Sequence, residues 1–379
     1  MNIRVFEDFA SALAAICAAS PLAQGRPLFW TCIANPRAGG FTIGSRWKKH
    51  RAVLERYAAL AGGKKRRGGE ARPSVTSQEL NRGPGSLRSP GVVLTSRPGD
   101  AGDIVRALLD EAASFSSSVP SPFFLVITAG GDGTSLEAQL SLYEAHSALR
   151  SNFAILRLPM GTGNDGADAW ELDEALDLLT EEVTIEYSRA LRLRTSTGGK
   201  GPFLAFNILS IGLDAFVTHM TNKTKGRFPG DSYKVWVDIA SLLYDRVYKV
   251  GPMALNAYDE GGDEILSLNE PLLLAAMGVT GKRTYGSHKM ILPDARNVCV
   301  LRQMSLFRKL SLKGLFNTGG HVDKKEAVLC NASRLEFRYE YPVLAQMDGE
   351  TVRLTKEDFP VSIELTEPAI PILRKLSKA

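Results

Sequence analysis

Short apolar runs alternate with amphipathic stretches along the first half of the chain. The runs are rich in β-branched and aromatic residues, and the stretches between them repeat their apolar positions with the period of a helix. The predicted strands are Leu28–Ala34, Val92–Thr95, Phe123–Thr128 and Phe153–Leu158, and the predicted helices are Arg46–Leu60, Asp103–Ala113, Leu136–Leu149 and Leu172–Thr180. This alternation predicts a parallel sheet with helices on both faces, whose loops gather at one edge.

The pattern changes after Glu186 to β-rich pieces that are interrupted by one strong helix. The predicted strands are Pro202–Ile211, Pro271–Val279, Val298–Leu301, Arg334–Glu340 and Val361–Leu365, and the predicted helix is Tyr233–Val247. This pattern predicts a second, mostly antiparallel domain, so the fold class is α/β plus β. The predicted divisions are a helical N-terminal extension (1–27), the α/β domain (28–185), the β domain (186–358) and a C-terminal segment that returns to the first domain (359–379).

A segment rich in Gly, Pro, Ser and Arg, residues 61–90, separates the first helix from the second strand. It contains seven Lys/Arg and two Asp/Glu, which accounts for the whole formal charge of +5. The other 39 basic and 39 acidic residues cancel, so we expect no nucleic-acid partner. The composition predicts a flexible, solvated insertion, and the alternative is an electrostatic tether to anionic lipid headgroups.

The stretch from Phe9 to Gly25 is uncharged and rich in Ala and Ser. It follows Glu7 and Asp8, where a signal peptide would be basic, so we predict an amphipathic helix rather than a signal or membrane span. Four cysteines without a CxxC pair and five scattered histidines give no metal-ligand spacing. We therefore expect reduced thiols in a cytoplasmic protein.

Three glycine-containing loops follow predicted strands of the first domain. The first is Asn35-Pro36-Arg37-Ala38-Gly39-Gly40. Its glycines let backbone N–H groups approach phosphate oxygens, and Arg37 adds a fork of donors. Strand-to-helix turns also contain Pro and Gly for conformational reasons alone, so this loop leaves both interpretations open.

The second loop, Gly130-Gly131-Asp132-Gly133-Thr134, lies between an apolar strand and a helix. Its glycines clear side chains from the space beside Asp132, which a structural turn rarely requires. The third loop, Gly161-Thr162-Gly163-Asn164-Asp165, adds backbone donors, a hydroxyl and a second carboxylate at the same sheet edge. Two carboxylates and many amides suit a Mg²⁺–nucleotide.

Two other nucleotide motifs were compared with the sequence. Gly161 to Gly166 fits the GxGxxG pattern, so an NAD(P)-dependent dehydrogenase is an alternative, although that pattern leaves the GGDGT loop unexplained. A Walker loop ending at Gly281-Lys282 is excluded, because Ala276 replaces its first glycine and Arg283 its Ser/Thr.

These motifs resemble the diacylglycerol kinase catalytic superfamily, specifically the soluble bacterial lipid kinases, which are related to sphingosine and ceramide kinases. The pair GGDGT and LPMGTGND carries most of the resemblance. The second half adds FNILSIGLDA, FPGDSYKVW, GSHKMILPDA, GGHVDKKEAV and Asp348-Gly349-Glu350, which resemble the family's second-domain motifs in the same order.

The resemblance implies a Rossmann-like nucleotide domain, a C-terminal β-sandwich that holds a lipid, and a cleft between them. It implies transfer of the γ-phosphoryl group of Mg-ATP to a lipid hydroxyl, most simply that of diacylglycerol, in phospholipid biosynthesis. The implied setting is the inner face of a membrane, with a lipid substrate as partner and a homodimer allowed.

The resemblance also assigns residues. ATP would contact Asn35, Gly39, Thr95, Gly131, Asp132, Gly133, Thr134, Gly161, Thr162, Asn164 and Gly349. Asp132 and Asp165 would organise Mg²⁺ and its waters. Glu350 corresponds to the general base proposed for bacterial members and would be supported by Asp348, whereas sphingosine kinases point to the position of Asp132 as the base.

The sequence departs from the family pattern at three places. Asn297-Val298-Cys299 replaces an Asp-Asp-Gly turn that is linked to a structural ion, Ala38-Gly39 replaces a serine position, and Gly166-Ala167-Asp168-Ala169 replaces a FAR-like segment. These departures bear on substrate identity more than on reaction type. NAD kinases share only the GGDGT loop, and a non-catalytic lipid-binding relative would need damaged carboxylates, so both stay as alternatives.

Overall fold

The described chain divides into two compact units. The computed structural model describes residues 3–22, 25–65, 91–115, 122–161, 164–198, 200–201, 203–224, 244–285 and 289–376. The first unit contains Met1–Ser188 and Pro368–Ala379, and the second contains Arg189–Glu367. The end of the chain thus belongs to the first unit.

Six strands form the sheet of the first unit. They are β1 (Leu28–Ala34), β2 (Gly91–Leu94), β3 (Phe123–Gly130), β4 (Phe153–Pro159), β5 (Val183–Ser188) and β19 (Ile370–Lys375). Their order is β2-β1-β3-β4-β19-β5. The first five strands in this spatial order, from β2 to β19, are parallel. The sixth, β5, is antiparallel to β19 at the edge. The predicted parallel sheet is confirmed, with an antiparallel edge strand that the sequence pattern did not predict.

Helices cover both faces of this sheet. They are α1 (Ile3–Ala18), α2 (Gly39–Thr42), α3 (Gly44–Lys65), α4 (Asp100–Ser114), α5 (Asp132–Glu144), α6 (Ser147–Arg150) and α7 (Leu172–Thr180). Alternate residues of β3, such as Leu125 and Ile127, pack in one cluster with α1, α3 and α7. On the other face the hydroxyls of Thr128 and Ser135 join β3 to α5 at 2.9 Å. Burial on both faces explains why these strands read as continuous apolar runs.

Three helices differ from their predicted bounds, and the smallest difference is at α4, which was predicted as Asp103–Ala113 and spans Asp100–Ser114. Helix α3 continues to Lys65, past the predicted start of the insertion, and its Ala61 is buried. Residues 66–90 of that insertion lie outside the described residues. The predicted helix Leu136–Leu149 begins earlier, at Asp132, and ends at Glu144. A separate short helix follows, capped by His146, whose Nδ1 accepts the N–H of Ala148 at 3.3 Å.

The N-terminal helix α1 packs onto the first unit through one apolar face. Phe6, Phe9, Leu13 and Ile16 are almost fully buried in the same cluster as β1 and β3. Their spacing is that of an amphipathic helix. None of the helices in the described part of the chain combines the length and the hydrophobicity that a membrane crossing requires.

The second unit is built from antiparallel strands. They are β6 (Leu191–Arg194), β7 (Phe203–Ala205), β8 (Ile208–Gly212), β9 (Pro252–Tyr258), β10 (Glu264–Gly278), β11 (Arg283–Tyr285), β12 (Lys289–Leu292), β13 (Val298–Arg302), β14 (Ala327–Cys330), β15 (Arg334–Arg338), β16 (Val343–Met347), β17 (Glu350–Leu354) and β18 (Val361–Leu365). The long path runs β17-β16-β8-β10-β9-β15-β18-β6-β7, with β13 and β14 branching from β10. The predicted antiparallel character is confirmed.

The 15-residue strand β10 joins two parts of this path. Its first half pairs with β9, and its second half pairs with β8 and β13. The second half is buried on both faces, because Ala275 packs in one apolar cluster while Leu273 packs in another with Phe216 and Tyr244. This strand therefore fixes the position of β8, which leads into the candidate site.

The helices of the second unit are few in its described part: α8 (Leu213–Thr224), α9 (Tyr244–Val247) and α10 (Leu306–Lys313). Of the predicted helix Tyr233–Val247, only Tyr244–Val247 is described, and residues 225–243 lie outside the described residues. The finer interpretation as a Rossmann-like domain, a β-sandwich and a cleft between them stays a prediction.

The last strand should contribute strongly to the stability of the first unit. Leu373 of β19 is fully buried in the cluster under the sheet, whereas Leu376, three residues later, is 52% exposed. Leu373→Ala should lower the free energy of unfolding by about 2–5 kcal/mol, because it leaves a cavity. Leu376→Ala should change it by less than about 0.5 kcal/mol. Urea unfolding curves of the two variants test this, and equal losses would contradict it.

Candidate active site

The parallel register gathers four strand ends at one edge of the first unit's sheet. Ala34, the last residue of β1, lies beside Leu94 of β2 and Ala129 of β3, and Gly130 lies beside Pro159 of β4. The loops that begin after these residues therefore leave from the same edge. The structure brings the described residues of all three glycine-containing loops, together with Thr95, to this edge.

Asn35 joins the first loop to the second. Its Nδ2 donates to Thr134 Oγ1 at 3.5 Å, and its Oδ1 accepts the N–H of Arg37 at 2.9 Å. The first loop is also joined to the third, because the N–H of Gly40 donates to the carbonyl of Met160 at 2.8 Å. These bonds make one connected surface from loops that are far apart in sequence.

The second and third loops meet backbone to backbone. A Cβ added to Gly161 would lie 2.6 Å from the Cα of Gly131, closer than real Cβ atoms approach another atom. The N–H of Gly166 donates to Asp132 Oδ1 at 3.0 Å. The peptide that follows Asp165 therefore lies against the carboxylate of Asp132, which links the two predicted metal-binding positions.

Asp132 is the first residue of helix α5, and Gly131 is its N-cap. The positive end of the helix dipole favours negative charge at this place. Gly133 is exposed, and a Cβ added to it would meet no atom within 4 Å. The loop thus has open space beside the N–H groups that begin the helix, as an anionic ligand requires.

The donor set fits a magnesium–nucleotide better than a metal held by protein alone. Within the described residues no cluster of three or more His, Cys, Asp or Glu is placed to hold a metal ion. Mg²⁺ in phosphate-transfer sites is usually bound by one or two carboxylates together with substrate phosphates and waters. Asp132 and Asp165 would supply such carboxylates.

Two of the predicted nucleotide-binding residues, Gly161 and Asn164, hydrogen-bond to each other and so hold the shape of their own loop. Asn164 has a left-handed backbone with φ 59°, its Oδ1 accepts the N–H of Gly161 at 2.6 Å, and its Nδ2 donates to the carbonyl of Pro159 at 3.1 Å. Thr162 and Gly163 lie outside the described residues. The loop's amides are therefore partly used to close the loop itself.

A buried ion pair behind the third loop was not predicted. Asp168 and Arg157 have side chains that are 0% and 6% exposed, and Arg157 Nη2 donates to Asp168 Oδ1 at 2.6 Å. Arg157 also donates to Gln139 Oε1 of helix α5 at 3.1 Å. The pair anchors the third loop to β4 and α5. A charged residue inside the apolar strand Phe153–Pro159 was the available signal, since such a residue needs a buried partner.

In the second unit, the turn Asp348-Gly349-Glu350 is held by the carboxylate of Asp348. It accepts hydrogen bonds from three consecutive backbone N–H groups, those of Phe206, Asn207 at 3.1 Å and Ile208 at 2.9 Å. The backbone is left-handed at Asp348 and Gly349, with φ 46° and 102°. Asp348 thus fixes a turn that few other sequences could adopt.

Polar contacts behind the turn complete its support. The N–H of Gly349 donates to Gln346 Oε1 at 3.2 Å, and Asn222 Nδ2 donates to the carbonyl of Gly349 at 2.8 Å. Gln346 is fully buried and donates to Asp214, which also accepts from Ser210 at 2.7 Å. Gln346 was not predicted, although a glutamine within the apolar strand Val343–Met347 was a signal.

Glu350 is exposed at the first position of β17. The rigid turn before it fixes the direction in which its strand begins, so its carboxylate is presented from a supported backbone. Its role as the general base stays a prediction, as does the nucleotide contact assigned to Gly349.

Comparison with known proteins shows similarity to one protein family over the first half of the chain. Residues 30–194 match the family described as "Diacylglycerol kinase catalytic domain". The match runs from within β1 to the end of β6 and therefore includes all three glycine-containing loops.

Relatives and solved structures extend the similarity. A protein of Enterobacter sp. (strain 638) named "Probable lipid kinase YegS-like" is 24% identical over 280 residues, which are 73% of this chain and 85% of that protein. Two structures from Bacillus anthracis str. Sterne are similar in fold. One, "A putative diacylglycerol kinase", has a TM-score of 0.54 at 15% identity and covers 92% of this chain and 97% of its own. The other, described as "The crystal structure of a diacylglycerol kinases", has a TM-score of 0.51 at 14% identity and covers 93% of this chain and 98% of its own.

The buried ion pair should be important for the stability of the first unit. Asp168→Asn keeps the shape of the side chain but leaves the guanidinium of Arg157 buried without its counter-charge. We expect a loss of about 3–5 kcal/mol in the free energy of unfolding. Glu55→Gln, which breaks the exposed pair with Arg51, should cost less than about 1 kcal/mol. If thermal and urea unfolding give similar losses for both variants, the pair does not anchor the loop.

Proposed function

We propose that this chain is an ATP-dependent lipid kinase, which transfers the γ-phosphoryl group to the hydroxyl of a lipid of the diacylglycerol class. The observation that carries the proposal is the meeting of the three glycine-containing loops around Asp132, at the amino end of helix α5. The match of residues 30–194 to the diacylglycerol kinase catalytic domain and the lipid kinase named among the relatives support the same activity.

In this proposal the residues of the sheet edge bind and orient the nucleotide. The N–H groups in the first turn of α5, at Asp132 and Gly133, face the phosphates, and the contacts among Asn35, Thr134 and Gly161 keep the loops in place before the nucleotide binds. Asp132 and Asp165 hold Mg²⁺. When bound, this ion offsets the negative charge that develops on the transferred group.

The acceptor hydroxyl needs a group that takes its proton. Such a hydroxyl has a pKa far above neutral, and kinases of other folds use a carboxylate for this purpose. Asp132 Oδ1 already accepts a hydrogen bond from Gly166, whereas Glu350 is exposed on a turn that Asp348 fixes. We therefore assign the base to Glu350 and the metal to Asp132, with Asp348 as a positioning residue.

One assay tests the reaction. Radioactive ATP labelled in the γ-phosphate is offered with Mg²⁺ and, separately, diacylglycerol, sphingosine, ceramide, undecaprenol and NAD. We expect label in a lipid and most in diacylglycerol. Label in NAD alone would replace the proposal with an NAD kinase, and no label in any acceptor would leave a non-catalytic relative.

Asp132→Asn should abolish phosphoryl transfer and weaken the use of Mg-ATP. The substitution removes the charge that organises the metal but opens no cavity. The loss of stability should therefore be small, and the melting temperature should stay within a few degrees of the wild-type value. Asp110→Asn, at an exposed position of helix α4, is the matched control and should be near wild type. A variant that keeps more than about a tenth of the wild-type rate at saturating Mg²⁺ is incompatible with this role.

Glu350→Gln should lower kcat by about 10²–10⁴, the range for the loss of a general base, with little change in the affinity for ATP. Glu264→Gln, at an exposed position of β10, is the control. Steady-state kinetics across pH separate the two candidate bases. A near-normal kcat with a raised KM for lipid would make Glu350 a substrate-positioning residue and would assign the base to Asp132.

A further inference from the structure

Helix α10 of the second unit exposes three of its four large apolar side chains and buries a charged residue, Lys309, beside the fourth, Leu312. Phe307 is 83% exposed, Leu310 47% and Leu306 43%, whereas Lys309 is only 7% exposed. Leu306 and Phe307 lie one turn before Leu310, so the three side chains share one face, which we call the Phe307 face. A surface helix normally has the opposite arrangement.

Ion pairs hold the helix in this orientation. Lys309 Nζ lies 2.5 Å from Asp245 Oδ1, and Arg308 makes two hydrogen bonds of 2.8 and 2.9 Å to the carboxylate of Glu326. The hydrogen bond from Arg308 lowers the pKa of Glu326 to about 2, so this pair persists at any ordinary pH. Ser305 caps the helix by accepting the N–H of Arg308 at 3.4 Å. The charges of the helix are therefore used to attach it, which leaves the Phe307 face directed away from the unit.

The neighbouring helix α9 also exposes an apolar side chain and is attached through a charged one. Asp245 accepts from both Lys309 and Gln303, which ties α9 to the start of α10. Val247 on α9 is 62% exposed. Large apolar side chains exposed together, rather than singly, usually mark an interaction surface.

The segments that carry these helices are strongly basic. Residues 244–250 and 302–326 contain eight Lys/Arg and three Asp/Glu. Arg308 and Lys309 pair with two of the three acids, and Arg302 pairs with Glu270, which leaves five basic residues and one acid without these partners. Arg246, Lys249 and Lys325 are exposed. An apolar face with a cationic border matches the interface of an anionic lipid bilayer, where apolar side chains enter the acyl region and basic residues meet the headgroups.

We propose that the Phe307 face is a membrane-docking surface, which inserts Phe307 and Leu310 into a bilayer containing anionic lipid while the exposed basic residues contact its headgroups. The proposal rests on the proposed function in one respect, since a kinase for membrane lipids must reach its acceptor in a bilayer. The charge border favours a bilayer over a second copy of this chain, whose own Phe307 face carries the same positive charge.

Vesicle binding tests the proposal directly. The full chain is sedimented with vesicles of phosphatidylcholine, or of phosphatidylcholine with phosphatidylglycerol, and the bound fraction gives a partition coefficient. We expect tighter binding to the anionic vesicles. Phe307→Ser with Leu310→Ser should lower that coefficient at least about tenfold, because two apolar side chains no longer enter the bilayer.

Two control variants separate this surface from a general effect. Ile265→Ser, at a 42% exposed apolar position of β10, should bind as the wild type does. Arg246→Glu with Lys325→Glu should weaken binding to anionic vesicles and leave binding to phosphatidylcholine unchanged, because only the charge border is altered. Equal binding by the serine double variant and the wild type overturns the proposal. So does a wild-type dimer in analytical ultracentrifugation that becomes a monomer in the double variant, since a second copy would then cover the face.

A kinase assay in detergent micelles keeps this test separate from the proposed activity. The serine double variant should phosphorylate lipid in micelles at the wild-type rate and lose activity only on vesicles. If the wild type binds anionic vesicles through this face but phosphorylates no lipid in micelles, the docking surface stands and the proposed activity fails.

Discussion

The in-register parallel pairing of β2, β1, β3 and β4 is the constraint on which the candidate site depends. Hydrogen bonding between parallel neighbours aligns their carboxyl ends, so loops that begin at residues 35, 95, 131 and 160 start from one edge. No single loop would form the site, because each supplies only part of the donors. A shift of one residue would exchange the side chains on the two covered faces of a strand and would move its loop out of line with its neighbours.

Holding these loops together uses groups that the substrate does not need to touch. The contact between Gly131 and Gly161 removes the space between two loops, and the pair of Arg157 and Asp168 ties the third loop to its strand from behind. Such support restricts loop motion before a ligand arrives, which reduces the entropy that binding must overcome. The polar residues behind the site therefore matter for ligand binding as well as those on its surface, because they hold the loops in place.

The second unit uses the same principle at a different kind of turn. Three backbone N–H groups converge on the carboxylate of Asp348, and they satisfy a charged group that would otherwise be costly to place beside buried strands. Helix α10 shows a different use of charge, since its ion pairs attach the helix and leave its apolar residues outside. In both places charged side chains, Asp348 in the turn and Lys309 in the helix, fix the backbone. The exposed residues with a proposed role, Glu350 and Phe307, lie two residues away in sequence.

The sequence by itself determined the βαβα order, the antiparallel second half and the resemblance to diacylglycerol kinase catalytic domains, because strand and helix periodicity and the GGDGT and LPMGTGND loops are local properties. Strands such as Leu28–Ala34 and Val361–Leu365 were predicted with the bounds that the structure has. The return of the C-terminal segment to the first domain was predicted, but local pattern could not predict that β19 pairs between β4 and β5, that Asp168 lies against Arg157, or that α10 exposes Phe307 and Leu310. Each of these depends on a partner distant in sequence, and only packing in three dimensions decides which partner a strand, a carboxylate or a helix face meets.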